Sequence, residues 1–330
     1  MIEDHFLNFV QMQTQSTRIG KVSLIQELWS GYGQISRVQL FGGSYSTVVV
    51  KYIDLESANA HPRGWNTNLS HKRKVKSYEV EINWYKKYNE TLPDSCKTAK
   101  CLGVLSLNNK HCIVLEDLDE IGFPIRKNQL SIDGVKVGLK WLAQFHGHYL
   151  MNEAEGLWEE GTYWHLNTRP DEWKAIKNKE IQNVANKIDE KLKLTKYPTI
   201  VHGDAKLANF CFSKDLNSLA AVDFQYVGKG CGMKDVAYFL GSCVSESDLL
   251  IYEDDLLNTY FSVLKETVKA SHSLVDVNEL ELDWRKLYPY AWADFTRFLL
   301  GWMPTHQKLN AYSSRNMMEV LDLLKQENEI

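Results

Sequence analysis

Apolar and polar positions alternate in one manner over the first third of the chain and in another over the last. "ISRVQLF" (35–41) and "STVVVKYI" (46–53) are rich in β-branched and aromatic residues. Gly42-Gly43 and a few small or polar residues join them, which predicts a hairpin. In "HKRKVKSYEVEINWYKKY" (71–88) Val75, Tyr78, Ile82 and Tyr85 fall on one helical face. "AKCLGVLSL" and "KHCIVLEDL" then predict a second hairpin around Asn108-Asn109. The predicted order is strand, strand, helix, strand, strand.

From Ser131 the period becomes helical, with Ile132, Val135, Leu139, Leu142, Phe145 and Tyr149 in one stripe. Further helices are predicted over 171–194, 235–244, 247–270, 284–302 and 314–326. No internal repeat or low-complexity linker separates the two regimes, and the change falls near 118–124. The expected fold class is therefore α+β. A small β-rich N-lobe over 1–120 precedes a larger helical C-lobe over 121–330.

One stretch interrupts the helical region: "VHGDAKLANF" (201–210), followed by "AAVDFQYVG" (220–228). "NFCFS" and "LAAVDF" can pair as a hairpin around "KDLN". A turn centred on Leu216 would set Asn209 opposite Asp223, the two being equidistant from it. Directly opposite residues share a face, with Cβ atoms about 5 Å apart. An amide oxygen and a carboxylate converging in this way suit Mg²⁺, which keeps its other positions for water and phosphate oxygens. Asp204, just after the apolar run "TIV", could then accept the proton of an attacking hydroxyl.

HGDxxxxN followed by a DFQ acid resembles the phosphotransferase motif shared by aminoglycoside phosphotransferases, choline/ethanolamine kinases and the ecdysteroid-kinase-like (CHK kinase-like) group. "HGDAKLANF" with "VDFQ" lies nearest the last group, and the resemblance extends over most of the chain. It implies a protein-kinase-like two-lobe fold with ATP and Mg²⁺ as cofactors. By the same resemblance Asp204 is the catalytic base, Asn209 and Asp223 hold the metal, and His202 and Gly203 shape the loop. Lys206, two places after the base, would neutralise the transferring phosphate, the alternative being a solvated surface lysine. Asp235 in "GMKDVAYFL" matches the acid that opens a helix after the metal Asp, a place that an ordinary N-terminal helix acid also fits.

Lys51 is a lone cation in the apolar strand "TVVVKYI", and burying an unpaired charge is costly. The resemblance supplies a Glu on the following helix together with the nucleotide's α and β phosphates. Glu79 and Glu81 flank the stripe at similar angles, so periodicity does not choose between them; "EINWY" resembles the family's helix and selects Glu81. Gly31 and Gly33 in "WSGYGQ" occupy the place of a phosphate-covering glycine loop. "VLEDL" (114–118) resembles the hinge whose backbone receives adenine, which marks Glu116, Asp117 and Leu118.

Composition narrows the partners. The chain has 330 residues, 44% hydrophobic and 24% charged, with a net charge of -4, which gives no global attraction for nucleic acid or an anionic membrane. The acidic start "MIEDHFLNFV" and the lack of a long apolar run lead to the expectation of a cytoplasmic protein. Its six cysteines form no CxxC pair, as expected of reduced core thiols. The basic run "HKRKVK" reads as a solvated helix face more readily than as a phosphate contact. Trp158, Tyr163, Trp164, Trp173, Trp292 and Trp302 could cage a quaternary ammonium, but helical spacing places Trp292, Phe295, Leu299 and Trp302 in the core.

The sequence thus leads to an ATP- and Mg²⁺-dependent kinase of a small-molecule hydroxyl acceptor, choline-like, sterol-like or aminoglycoside-like. A protein kinase is the alternative within enzymes, disfavoured by the short segment between Asp223 and Asp235. A catalytically silent nucleotide-binding scaffold is the alternative outside them.

Overall fold

The computed structural model describes residues 2–28, 31–56 and 68–327, so Trp29 and Ser30 of "WSGYGQ" lie outside the described residues. The first half of the chain forms α1 (Asp4–Thr14), β1 (Arg18–Glu27), β2 (Gly33–Phe41), β3 (Thr47–Asp54), α2 (Asn68–Lys87), β4 (Cys101–Leu107), β5 (Lys110–Glu116) and α3 (Ile132–His148). There follow α4 (Pro170–Ala175), α5 (Lys179–Lys193), β6 (Thr199–Val201), β7 (Phe210–Phe212), β8 (Leu219–Ala221) and β9 (Gly228–Gly230). The long helices α6 (Met233–Cys243), α7 (Glu246–Ser271), α8 (Val277–Trp302) and α9 (Ala311–Gln326) complete the chain.

An antiparallel sheet of order β1-β2-β3-β5-β4 forms the small N-lobe with α1 and α2, and helices α3–α9 with two short ladders, β6–β9 and β7–β8, form the C-lobe. Both predicted hairpins are present. Asn108 and Asn109 both have positive φ, as a two-residue turn matched to strand twist requires.

The predicted order omits α1 and β1. The α1 signal was legible, since Phe6, Val10 and Thr14 recur every four residues and are buried. Its Phe6 and Val10 cover Val38, Val48 and Val50 on the sheet face away from α2. β1 is an edge strand whose side chains are mostly exposed, so it carries no alternation to read. The helix predicted over 171–194 is broken at 176–178, where Asn178 caps α5 by accepting from the Ile181 N–H. Helix α8 starts earlier than expected because Asp276 accepts from the Asn278 and Glu279 N–H groups.

The largest core cluster runs across both lobes. Trp84 of α2 is fully buried and stacks on Phe224 at 4.4 Å between centroids, with Phe145 of α3 packed at 5.6 Å. Phe224 belongs to the "VDFQ" motif, so this stack fixes α2 relative to the segment carrying Asp223. Among the described residues no helix is long and apolar enough to cross a membrane.

Candidate active site

Lys51 sits in β3 between Ile35 of β2 and Ile113 of β5, and is buried. Its ammonium meets Glu81 Oε2 at 2.6 Å and Oε1 at 2.8 Å, and reaches Asp223 Oδ1 at 3.5 Å. Glu79 points to solvent and lies 4.0 Å from Lys76, so the structure selects Glu81. The reason is tertiary: the Trp84–Phe224 stack sets the rotation of α2.

The loop after β6 places Asp204. Its Oδ2 accepts from Lys206 Nζ at 2.8 Å and from Asn209 Nδ2 at 3.0 Å, while Oδ1 is buried with no hydrogen-bond partner among the described residues. Gly203 has φ +79, and a Cβ there would lie 2.0 Å from the Tyr226 carbonyl oxygen; only glycine fits. His202 donates from Nε2 to the Val222 carbonyl and accepts the Asp204 N–H at Nδ1, a neutral tautomer consistent with burial lowering its basicity.

Asp235 does more than open a helix. Its fully buried carboxylate accepts the His202 N–H at 2.5 Å, the Gly203 N–H at 2.9 Å and His146 Nε2–H at 3.0 Å. It thereby staples the loop to α6 and α3, and it is a positioning residue. Asp235→Ala would orphan these donors at about 1–3 kcal/mol each, so a loss of 3 kcal/mol or more is expected in urea unfolding. An unchanged midpoint would show that the loop holds its shape without the staple.

Asn209 and Asp223 reach the same cleft by a route different from the expected one. The β7–β8 ladder pairs Phe210 with Ala221 and Phe212 with Leu219, and the Val222 N–H donates to the Asn209 carbonyl. Asn209 is therefore level with Val222, and the register centred on Leu216 is one residue off. In a continuing strand that slip would send Asp223 to the opposite face. Asp223 instead adopts φ +69, leaves the strand and turns its carboxylate into the cleft. Gln225 Nε2 donates to Asp223 Oδ1 at 2.7 Å, and Lys74 Nζ donates to Gln225 Oε1 at 2.6 Å, which orients the acid.

The two acids are driven apart in proton affinity. Burial raises Asp204 above the carboxylate range; Lys206 offsets this only in part, and Asp223 adds to it. Burial would also raise Asp223, but Lys51, Lys206, Lys74 and His202 together outweigh it and hold it down at about 2. Burial likewise wins at Glu81, which is raised despite Lys51, while Glu81 and Asp223 keep Lys51 charged. The site thus contains a permanently ionised acid beside one that binds a proton more readily, a division suited to ligand and base.

A cavity of about 1170 Å³ joins these groups and runs between the lobes. Neither Gly31 nor Gly33 is among the described residues that line it, although Leu28, Tyr32 and Ile35 beside them are; a Cβ on Gly33, φ +131, would meet the Tyr52 carbonyl oxygen of β3 at 2.1 Å. Glu116, Asp117 and Leu118 line its far end, where Arg37 and Thr47 hold the Asp117 carboxylate. The Glu116 N–H is taken by the Lys100 carbonyl, whereas the Leu118 N–H donates to no described residue. The basic run at the start of α2 is only partly a solvated face: Arg73 and Lys74 line the cavity, and Lys74 faces Asp223 through Gln225. Of the aromatic set, Trp164 and Trp292 are core, while Tyr163 and Trp302 line the cavity with Tyr238 and Phe295. Sequence reasoning missed His146, Gln225, Tyr238 and Lys308. Only Gln225, two residues after the motif acid, carried a signal.

Residues 150–273 match the ecdysteroid kinase-like family model. The resemblance read from "HGDAKLANF" and "VDFQ" holds. The matched segment contains Asp204, Asn209, Asp223 and Asp235 and ends within the connection after α7. Among solved structures, a choline kinase from Cryptosporidium parvum Iowa II is similar with a TM-score of 0.53 at 12% identity, over 99% of this chain and 97% of that one. A microcompartment-associated aminopropanol kinase is similar with a TM-score of 0.50 at 12% identity, over 97% of this chain and 98% of that one. At such identities the likeness is one of fold, and the fold is the kinase-like one expected. No curated protein matches the chain in sequence.

Proposed function

We propose that the protein transfers the terminal phosphoryl group of ATP, with Mg²⁺, to a hydroxyl of a small molecule. The observation that carries this reading is the meeting, in one cavity, of the Lys51–Glu81 pair with Asp204, whose buried Oδ1 has no hydrogen-bond partner among the described residues. Asp204 would take the hydroxyl proton as the acceptor oxygen bonds to the terminal phosphorus. The phosphoanhydride bond behind it breaks and a nucleoside diphosphate leaves. Lys51 would orient the α and β phosphates, Lys206 would sit against the transferring group, and the Leu118 N–H would donate to the base. Gly31 and Gly33 would let the backbone on either side of Tyr32, which lines the cavity, approach the phosphates.

The residues present fit a magnesium ion. Asn209 spends its Nδ2 on the Asp204 carbonyl and carboxylate, which leaves Oδ1 to bind a hard cation, and Asp223 is kept ionised. Among the described residues no group of three or more His, Cys, Asp or Glu side chains could hold a metal alone, so water and phosphate oxygens would supply the remaining ligands. The ion, when bound, would neutralise charge on the phosphates.

Asp223→Ala tests this reading. In calorimetric titration of MgATP the variant should lose metal-dependent affinity by a factor of ten or more, on the order of 1.4 kcal/mol. Its far-ultraviolet circular dichroism should match the parent's. Equal MgATP affinity in variant and parent would remove Asp223 from the metal site.

A further inference from the structure

The acceptor end of the cavity carries a cation that the reaction just described does not use. Lys308 lies in the connection between α8 and α9 and lines the cavity together with Tyr163, Tyr238, Phe295 and Trp302. Its ammonium stands over the Tyr238 ring at 4.8 Å and the Phe295 ring at 5.5 Å. No carboxylate pairs with it among the described residues. The acids lining the cavity are Glu81, Glu116, Asp117, Asp119, Asp204 and Asp223, and their close partners lie elsewhere, on Lys51, Lys97, Arg37 and Lys206.

Two consequences follow. The aromatic faces that could have held a ligand's quaternary ammonium already hold the protein's own, and a second cation there would meet like charge. A half-buried ammonium without a counter-ion is also costly, and a ligand that supplied one would recover that cost. The groups facing Lys308 agree: the Tyr238 phenol and the Cys243 thiol on α6 are neutral, held up by burial, and His306 on its own connection is lowered by burial and by Lys308 itself. Asp204 attracts it from the loop after β6 and Lys206 repels it. Burial leads these effects and brings Lys308 down to about 8.

We propose that the acceptor carries an anionic group, a carboxylate on a body with apolar surface, which Lys308 binds against the Tyr238–Phe295 wall while the acceptor's hydroxyl faces Asp204. This rests on the phosphotransferase reading and names the substrate class of the same site. A choline-like or aminoglycoside-like cation is the wrong charge for it.

Three matched probes test the proposal by equilibrium calorimetry on the full chain with MgADP present: a hydroxymethyl-naphthoate, its methyl ester and the corresponding trimethylammonium compound. The carboxylate should bind about tenfold or more tighter than the ester, and the trimethylammonium weakest, as a charge-assisted contact predicts. Lys308→Met, which keeps the stem's packing, should abolish the difference between acid and ester, and Lys308→Arg should restore it. Affinity for the acid should fall as pH rises through about 8, where Lys308 loses its proton, while that for the ester stays level. Equal affinities for acid and ester, tighter binding of the trimethylammonium, a difference that survives Lys308→Met, or no binding of the acid would each overturn the proposal. The melting shift given by MgATP, measured on the parent protein, reports separately on the phosphotransferase reading, so the failure of one is distinguishable from that of the other.

Discussion

Asp204→Asn is expected to reduce turnover by about 10² to 10⁴ while leaving ATP affinity close to the parent's and the melting temperature equal or higher. The loss follows from chemistry, because the amide keeps the shape and can still accept from Lys206 but cannot take a proton. The gain follows from linkage. Asp204 in the folded chain is raised above its ordinary value, first by burial and then by Asp223. A carboxyl raised on folding binds more protons folded than unfolded, so its contribution to stability grows as pH falls through the folded value and is unfavourable at neutral pH. Removing the charge removes that cost. Parent turnover should show the same shift: its acid limb should lie above the usual carboxylate range, since Asp204, as the proposed base, would work only when ionised. Near-parent turnover in the variant, with an acceptor in hand, would remove Asp204 as the base, and a lower melting temperature would mean that its charge is a net support of the loop.

Lys51→Met should abolish phosphoryl transfer and the thermal stabilisation expected from MgATP, because the charge proposed to orient the phosphates would be gone. Its effect on stability depends on the partner. Glu81 is 1% exposed, and without Lys51 it would be an orphaned carboxylate, a change that costs about 3–5 kcal/mol where the charge must persist. Burial already raises Glu81, so protonation offers it an escape, and the single variant should be destabilised by less than that range. Lys51→Met combined with Glu81→Gln should recover the parent's stability and none of its activity. The double-mutant cycle should therefore be strongly non-additive in urea unfolding, because each change disables the same pair. Simple additivity would show that the two side chains, although in contact, do not depend on each other. A MgATP melting shift that survived Lys51→Met would place the nucleotide elsewhere.

The parts of the fold that were legible in the sequence are those in which local pattern and burial coincide. The strands 35–41 and 46–53 are β-rich with glycines between them, and α3 shows its stripe because Val135, Leu139, Leu142 and Phe145 recur at helical spacing and are all buried. The edge strand β1 has no such contrast, since neither of its faces is well covered, and pattern reading passes over it. The break at 176–178 was hidden for another reason: half-buried Trp173 precedes it, buried Ile176 lies in it and buried Ile181 follows, so apolar residues continue where the helix does not.

The motif acids were identified by residue type and spacing, and those properties are local. Asp204, Asn209 and Asp223 lie within twenty residues of one another, a span that a loop and a hairpin close. What the sequence by itself determined is that these groups are present, in an order that one turn can bring together, and that Lys51 must find an acid. The tertiary structure decided the rest, because the deciding contacts join residues far apart in the chain. Glu81 rather than Glu79 faces Lys51 because Trp84 stacks on Phe224. Asp223 turns inward because its backbone takes a left-handed conformation that corrects a one-residue register difference. Asp235 stands under the loop because α6 packs there, and Lys308 reaches the cavity because the α8–α9 connection folds over Tyr238 and Phe295. Periodicity says which face of an element is buried, but only packing says against what, and charge, register and proton affinity all depend on the neighbour.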